Sequence, residues 1–292
     1  MTRVPGGVLA LGAAAGWGLA AVVAKDTFDA LPPLRLSELR AAVAALLLLT
    51  LGLVVDRAGL RRCVRHWPAV IALGATLASV NATYYLAIER LPVGVAVTIQ
   101  YTGPVLVLVL RRRSVGVRLW VSAALALGGA ALVSGVASAA PSDVAGVLFA
   151  AASAVAFAAY LIVGERLTRA TGPFSSVAAG FAAATVLWSI VLPWWTFPFA
   201  ALGDVEIAAQ AGVVAVIGTA VPFLLLLAAL RTISAGLGGV LASSEPAFGA
   251  LFAWSLLGER LGALQLAGMA LTTVAVGAAQ RVAEPDAPPS AS

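Results

Sequence analysis

The sequence predicts an all-α integral membrane protein, with ten transmembrane helices arranged as two inverted five-helix repeats. Three observations predict it. Of 292 residues, 61% are hydrophobic and only 11% charged, with mean hydropathy +1.01; helices of that composition lack the polar face that water requires. Ten apolar runs follow one another at roughly 5–24, 34–55, 67–88, 92–110, 119–139, 144–163, 175–198, 207–229, 234–254 and 262–280, each near the length that crosses a bilayer core. Finally, Ala87–Gly135 matches Ala229–Gly277 without a gap, setting Gly94 on Gly236, Pro104 on Pro246, Arg118 on Arg260 and Gly135 on Gly277. Five spans per half send the second half through the membrane in the opposite sense. The halves are 1–139 (helices 1–5) and 140–282 (helices 6–10), and 283–292 is a Pro-rich tail expected to be disordered.

Span 1 carries Gly12 and Gly16 at the spacing that lets helix backbones approach. Trp17 sits between Gly16 and Gly18, either as a stacking wall for a ligand or as packing with glycine room around its ring. The apolar run is too long for a signal peptide, and nine more follow. Lys25, Glu38 and Arg40 mark the outer ends of spans 1 and 2. Glu38 can pair with either base as a clamp or a gate, and Arg40 is the base placed to reach inward. The loop after span 2 holds Cys63 and His66 among arginines. A lone cysteine forms no internal disulfide, and with no third ligand nearby the pair is expected to be a solvated loop without metal.

Asn81, Tyr84 and Tyr85 in span 3 lie three and four residues apart, neighbours on one helix surface. Asn81 is the deeper, pocket-facing residue; for the tyrosines an interfacial belt is the competing reading. In span 4, Gln100, Tyr101 and Thr102 precede Pro104. Proline removes a backbone donor and clashes one turn back, so the helix bends or breaks there. Hydrogen-bonding groups beside such a break suit a pocket for a small polar ligand; ordinary interhelical bonding is the alternative.

The second half opens with Gly146-Val-Leu-Phe, echoing Gly7-Val-Leu-Ala. Span 9 holds Ser243, Ser244 and Glu245 directly before Pro246. A carboxylate at the bilayer centre costs about 3 kcal/mol even on lenient scales, so it faces a cavity or a partner. Glu245 is therefore a proton-titrating group, a ligand for a substrate amine, or a structural carboxylate bonded to donors that the break frees. Gly103 occupies the matching position in the first half, so any carboxylate role is asymmetric. Trp67, Trp120, Trp194, Trp195 and Trp254 lie near span ends as interfacial anchors, whereas Trp188 is deep.

Basic residues divide 13 to 5 in favour of the side holding the N-terminus, which places both termini in the cytoplasm and the protein in the plasma (inner) membrane. The net charge of +5 therefore reports topology and contact with membrane lipid, not nucleic-acid binding. The sole lysine, Lys25, belongs to no phosphate-binding loop, so no nucleotide cofactor is expected. Any uphill transport would draw on protons, another ion or exchange. No His/Asp/Cys constellation lies within the spans, which disfavours an embedded enzyme; a non-transporting scaffold or receptor is the remaining class.

Four stretches resemble the EamA family of the drug/metabolite transporter superfamily: Trp17-Gly18 with Lys25 and Arg40; Tyr85 through Pro104; Glu245-Pro246; and Leu257-Gly-Glu-Arg-Leu261 with Gln265 and Gly268. The second stretch looks most like the threonine/homoserine exporter branch. The resemblance implies ten helices in two inverted repeats around a cavity that opens alternately to each side. It also implies proton-coupled export of amino acids or related metabolites. In the first half Val115-Gly116-Val117-Arg118 stands where the second has Leu257-Gly-Glu-Arg260, so Glu259 is expected to be structural. The expected ligand contacts are Asn81, Gln100, Tyr101, Ser244, Glu245, Trp17, Tyr85 and Arg40, with Glu245 also the proton site and Pro104 and Pro246 the helix breaks. A larger share for Trp17 and the tyrosines would instead suit an exporter of aromatic or cationic drugs.

Overall fold

The computed structural model describes residues 4–23, 30–135, 143–258 and 260–283, and these form helices and turns without strands. In chain order the α-helices are α1 (Gly6–Val23), α2 (Pro33–Val55), α3 (Arg57–Arg65), α4 (Trp67–Ile88), α5 (Val93–Gln100), α6 (Thr102–Leu110), α7 (Val117–Val133), α8 (Val144–Thr171), α9 (Pro173–Val191), α10 (Val205–Ala215), α11 (Val221–Ala229), α12 (Ala235–Ala242), α13 (Glu245–Leu257) and α14 (Ala263–Ala283). Nine helical stretches among the described residues are long and apolar enough to cross a membrane, with α5–α6, α10–α11 and α12–α13 each counted as one. The fifth expected span, 119–139, is instead the shorter apolar helix α7. The expected tail lies, beyond residue 283, outside the described residues.

Local chemistry sets the ends. Pro33, Pro68 and Pro173 occupy first-turn positions of α2, α4 and α9, where a missing N–H costs nothing. Asp143 caps α8 by accepting from the Gly146 N–H at 2.9 Å, and that bond holds its carboxyl below the usual carboxylate range. Gly172, at φ +94°, turns the chain between α8 and α9. Helix α8 runs well past the apolar stretch ending near residue 163 because Glu165, charged and buried, is bonded to Arg169 one turn on and to Arg111.

Helix α3 corrects the expected loop. It is a short helix stapled to α8 and α9: the Ser175 hydroxyl of α9 donates to Asp56 at 2.6 Å, and the Arg62 guanidinium donates to the Thr171 carbonyl at the end of α8 at 3.1 Å. Cys63 is buried in that seam, its thiol 3.4 Å from the Ser175 carbonyl. His66 stays exposed.

The bundle packs α4 on α8, α1 on α11 and α13, α2 on α9, and α7 on α14. Small residues make the approaches possible, since lipid offers no hydrophobic force between helices. A Cβ added at Gly18 would lie 2.6 Å from the Gly249 nitrogen, so this glycine lets α1 meet α13 backbone to backbone. A Cβ on Gly16 would strike Pro222 at 2.7 Å. The glycines beside Trp17 thus serve helix contact and not, as expected, space around the ring.

Candidate functional site

Among the described residues three spans are interrupted, and two of them meet at Glu245. The first runs α5, Tyr101, α6: Tyr101 leaves helical geometry at ψ 1°, and Pro104 has no N–H to offer the Gln100 carbonyl. The second runs α12, Ser243–Ser244, α13, with Glu245 and Pro246 opening α13. The Glu245 carboxyl therefore sits at a helix N-terminus, where backbone N–H groups favour negative charge. The Tyr101 hydroxyl donates a short hydrogen bond to Glu245 Oε2, joining the two interruptions.

Beside this bond lies a cavity of about 290 Å³. Of the residues singled out from the sequence, Trp17, Arg40, Asn81, Tyr85, Gln100, Tyr101 and Glu245 line it. The Arg40 guanidinium donates to the Tyr85 hydroxyl at 2.8 Å, and Asn81 donates to the Leu77 carbonyl at 2.7 Å. Among the described residues no basic group comes within ion-pairing distance of Glu245. Trp17 meets Phe223 edge-on at 5.1 Å.

Ser244 is not brought to the cavity; it is buried and its hydroxyl donates back to the Leu241 carbonyl at 2.7 Å, the usual escape for a serine at a helix end. Pro104 and Pro246 do not line it either. Pro104 packs against Gly239 of α12, and its effect on the site comes through the break. Glu38 pairs with Arg35 at 2.7 Å, not with Arg40, because Arg35 lies three residues away on its own helix. Arg35 also donates to Thr196, tying α2 to the turn after α9. Lys25 and Glu259 fall outside the described residues.

The asymmetry between the halves has a steric cause. A Cβ at Gly103 would lie 2.6 Å from the Ala154 carbonyl oxygen of α8, so the first half cannot carry a side chain where the second carries Glu245.

Several site features escaped the sequence reading. Leu77, Val80, Phe157, Tyr160 and Phe223 complete much of the wall, as apolar or aromatic residues that read as packing within a span. A π turn at Val216–Ala220 separates α10 from α11, and its Gly218 lines the cavity; such turns interrupt helices at functional sites. At the N-terminal face, Glu165 is 3% exposed and holds Arg111 at 2.6 Å and Arg169 at 2.8 Å. A lone acid among span-end arginines was its only signal.

Helices interrupted midway along apolar spans, with a largely apolar cavity carrying a few polar groups where they meet, suit a membrane transporter. The chain belongs to the EamA-like transporter family, which it matches twice, over residues 4–135 and 144–278. It is similar to the threonine/homoserine exporter RhtA of Salmonella typhimurium (strain LT2) and of Escherichia coli (strain K12). Each is 30% identical over 199 residues, which is 66% of this chain and 64% of the relative. The match thus spans a little under two thirds of those relatives' length. A solved crystal structure overlays with a TM-score of 0.79, covering 95% of this chain and 97% of its own at 20% identity, a likeness of fold. Family and relatives alike are transporters, and the chain is a multi-pass membrane protein.

Proposed function

We propose that the protein is a secondary transporter that exports small metabolites, amino acids foremost, by alternating access with proton coupling. One observation carries the reading: an acidic group and a basic group, Glu245 and Arg40, face the same small cavity where the broken helices meet. That pairing complements a zwitterion, with Arg40 and Tyr85 for the carboxylate and Glu245, Tyr101 and Gln100 for the ammonium. The cavity volume lies at the lower end of small-molecule sites, which span about 300–1,000 Å³. The relatives' description as threonine/homoserine exporters supports the substrate class. Glu245 is the proton candidate because gaining a proton changes the cavity's charge by one without moving another group.

Two inverted repeats, 1–139 and 140–282, form ten spans, with α7 as the fifth. The packing supports this, since α4 on α8 has its counterpart in α11 on α1, while α2–α9 and α7–α14 pair equivalent spans. Both termini lie in the cytoplasm of the plasma (inner) membrane, as the arginine distribution implies. Surrounding lipid covers the exposed apolar side chains of the bundle. The cavity then sits in the outer half, while Pro104 against Gly239 and the Glu165 cluster fill the cytoplasmic half.

The aromatic wall favours a second reading, export of aromatic or cationic drugs, since Trp17, Tyr84, Phe157 and Phe223 offer stacking faces. Uptake of a labelled panel into proteoliposomes, with and without a pH gradient, separates the two. Saturable, gradient-dependent amino-acid flux supports the first. Flux of drugs alone supports the second, and no flux from folded protein removes both.

A further inference from the structure

The apolar span Val93–Leu110 ends in three consecutive arginines. Arg111, Arg112 and Arg113 line, with Leu110, a recess of about 450 Å³. Because the apolar stretch stops where they begin, the recess lies at the level of lipid headgroups. Membrane topology accounts for basic residues near a span end, but it does not require three of them around one recess. Glu165 neutralises Arg111 at 2.6 Å. Arg112 and Arg113 are exposed and form no ion pair among the described residues. The chain then enters α7, whose first N–H groups gain no side-chain cap from Gly116, and an uncapped helix start favours an anion.

Next to the recess the surface turns apolar. Leu106, Val109 and Leu110, three and four residues apart, share one exposed face of α6. Val117 and Val121, one turn apart on α7, are exposed as well. On the apolar helices of a membrane protein such side chains meet acyl chains. A cationic recess at the head of two apolar stripes matches the two parts of a phospholipid, a charged headgroup and its chains.

We propose that Arg111, Arg112 and Arg113 form a discrete site for one anionic phospholipid, with its phosphate in the recess and its chains along α6 and α7. Basic pockets at membrane-helix ends hold such headgroups, and each arginine near the surface contributes about fivefold in affinity. The site shares no lining residue with the central cavity, so its test does not depend on the transported substrate.

Native mass spectrometry of the full chain in neutral detergent counts bound lipids and reads their affinities. The probes are phosphatidylglycerol, phosphatidylcholine with the same acyl chains, and glycerol 3-phosphate as an anion without chains. Wild type should bind a first phosphatidylglycerol at least about tenfold more tightly than phosphatidylcholine. Arg112→Gln/Arg113→Gln should bring the two lipids within about twofold. Arg61→Gln/Arg65→Gln removes two exposed arginines of α3 instead and should keep the preference. Equal affinity for both lipids in wild type overturns the site, as does an unchanged preference in Arg112→Gln/Arg113→Gln. Equal loss in Arg61→Gln/Arg65→Gln also overturns it, by showing diffuse surface charge. Glycerol 3-phosphate binding as tightly as phosphatidylglycerol overturns the lipid as occupant.

Discussion

Glu165 and Glu245 are both acids held within apolar helices, yet the bundle treats them oppositely. Glu165 gives one oxygen to Arg111 and the other to Arg169, so its charge is matched and both lone-pair regions are used. Glu245 receives a bond from the neutral Tyr101 hydroxyl, at a helix N-terminus, facing a cavity. A buried acid whose charge is matched within the fold holds helices together. One that receives, among the described residues, a neutral hydroxyl beside open space is left free to answer a ligand or a proton. The difference follows from position: Glu165 lies where α6 and α8 end among arginines, and Glu245 where a span is broken at mid-depth.

Removing each acid should sharpen that contrast most. Glu165→Ala should lower stability by about 2–3 kcal/mol, since hydrogen bonds to charged groups are each worth roughly that much. The loss stays below that of a fully buried pair because Arg111 and Arg169 are 31% and 59% exposed and can turn to water. Glu245→Ala should cost less, about 1 kcal/mol, since it takes the acceptor from the buried Tyr101 hydroxyl while relieving the cost of a buried carboxyl. Melting of both variants in detergent checks this; equal losses would erase the distinction. Gly103→Ala comes next, at about 2 kcal/mol from overpacking against the Ala154 carbonyl, and a neutral result would remove the steric account of the asymmetry.

A smaller effect is expected at Arg40. Arg40→Ala should weaken amino-acid binding about tenfold, near 1.4 kcal/mol, with little change in folding, as read by titrated thermal stabilisation. The smallest concerns Cys63, on the same face as Glu165. Burial pushes its thiol above the ordinary range, so less thiolate is present at neutral pH than for a free cysteine. Maleimide labelling should be slow at pH 7, quicken as pH rises, and become fast on unfolding. Fast labelling of folded protein at pH 7 would mean that α3 is not stapled to α9.

Much of this was legible in sequence, for a physical reason. Polar residues inside apolar runs have few places to go, so Arg40, Asn81, Tyr85, Gln100, Tyr101 and Glu245 stood out, and they share one cavity. Pro104 and Pro246 stood out because proline acts on backbone whatever surrounds it. Ser244 did not follow because a serine can satisfy itself on its own helix. Phe157, Tyr160 and Phe223 were invisible because an aromatic residue in a span looks the same whether it faces lipid, core or cavity. The Glu165 cluster was hidden because its arginines read as topology signals, and only three-dimensional proximity makes them ligands of one carboxylate.

The most direct test of the central claim compares wild type with Glu245→Gln in proteoliposomes, measuring pH-gradient-driven flux and gradient-free counterflow of the same amino acid. The account predicts that Glu245→Gln loses gradient-driven accumulation by about tenfold or more while counterflow persists, because the site still binds and alternates without a proton to couple. Gradient-driven flux equal to wild type would contradict it and return Glu245 to the structural role that Glu165 plays.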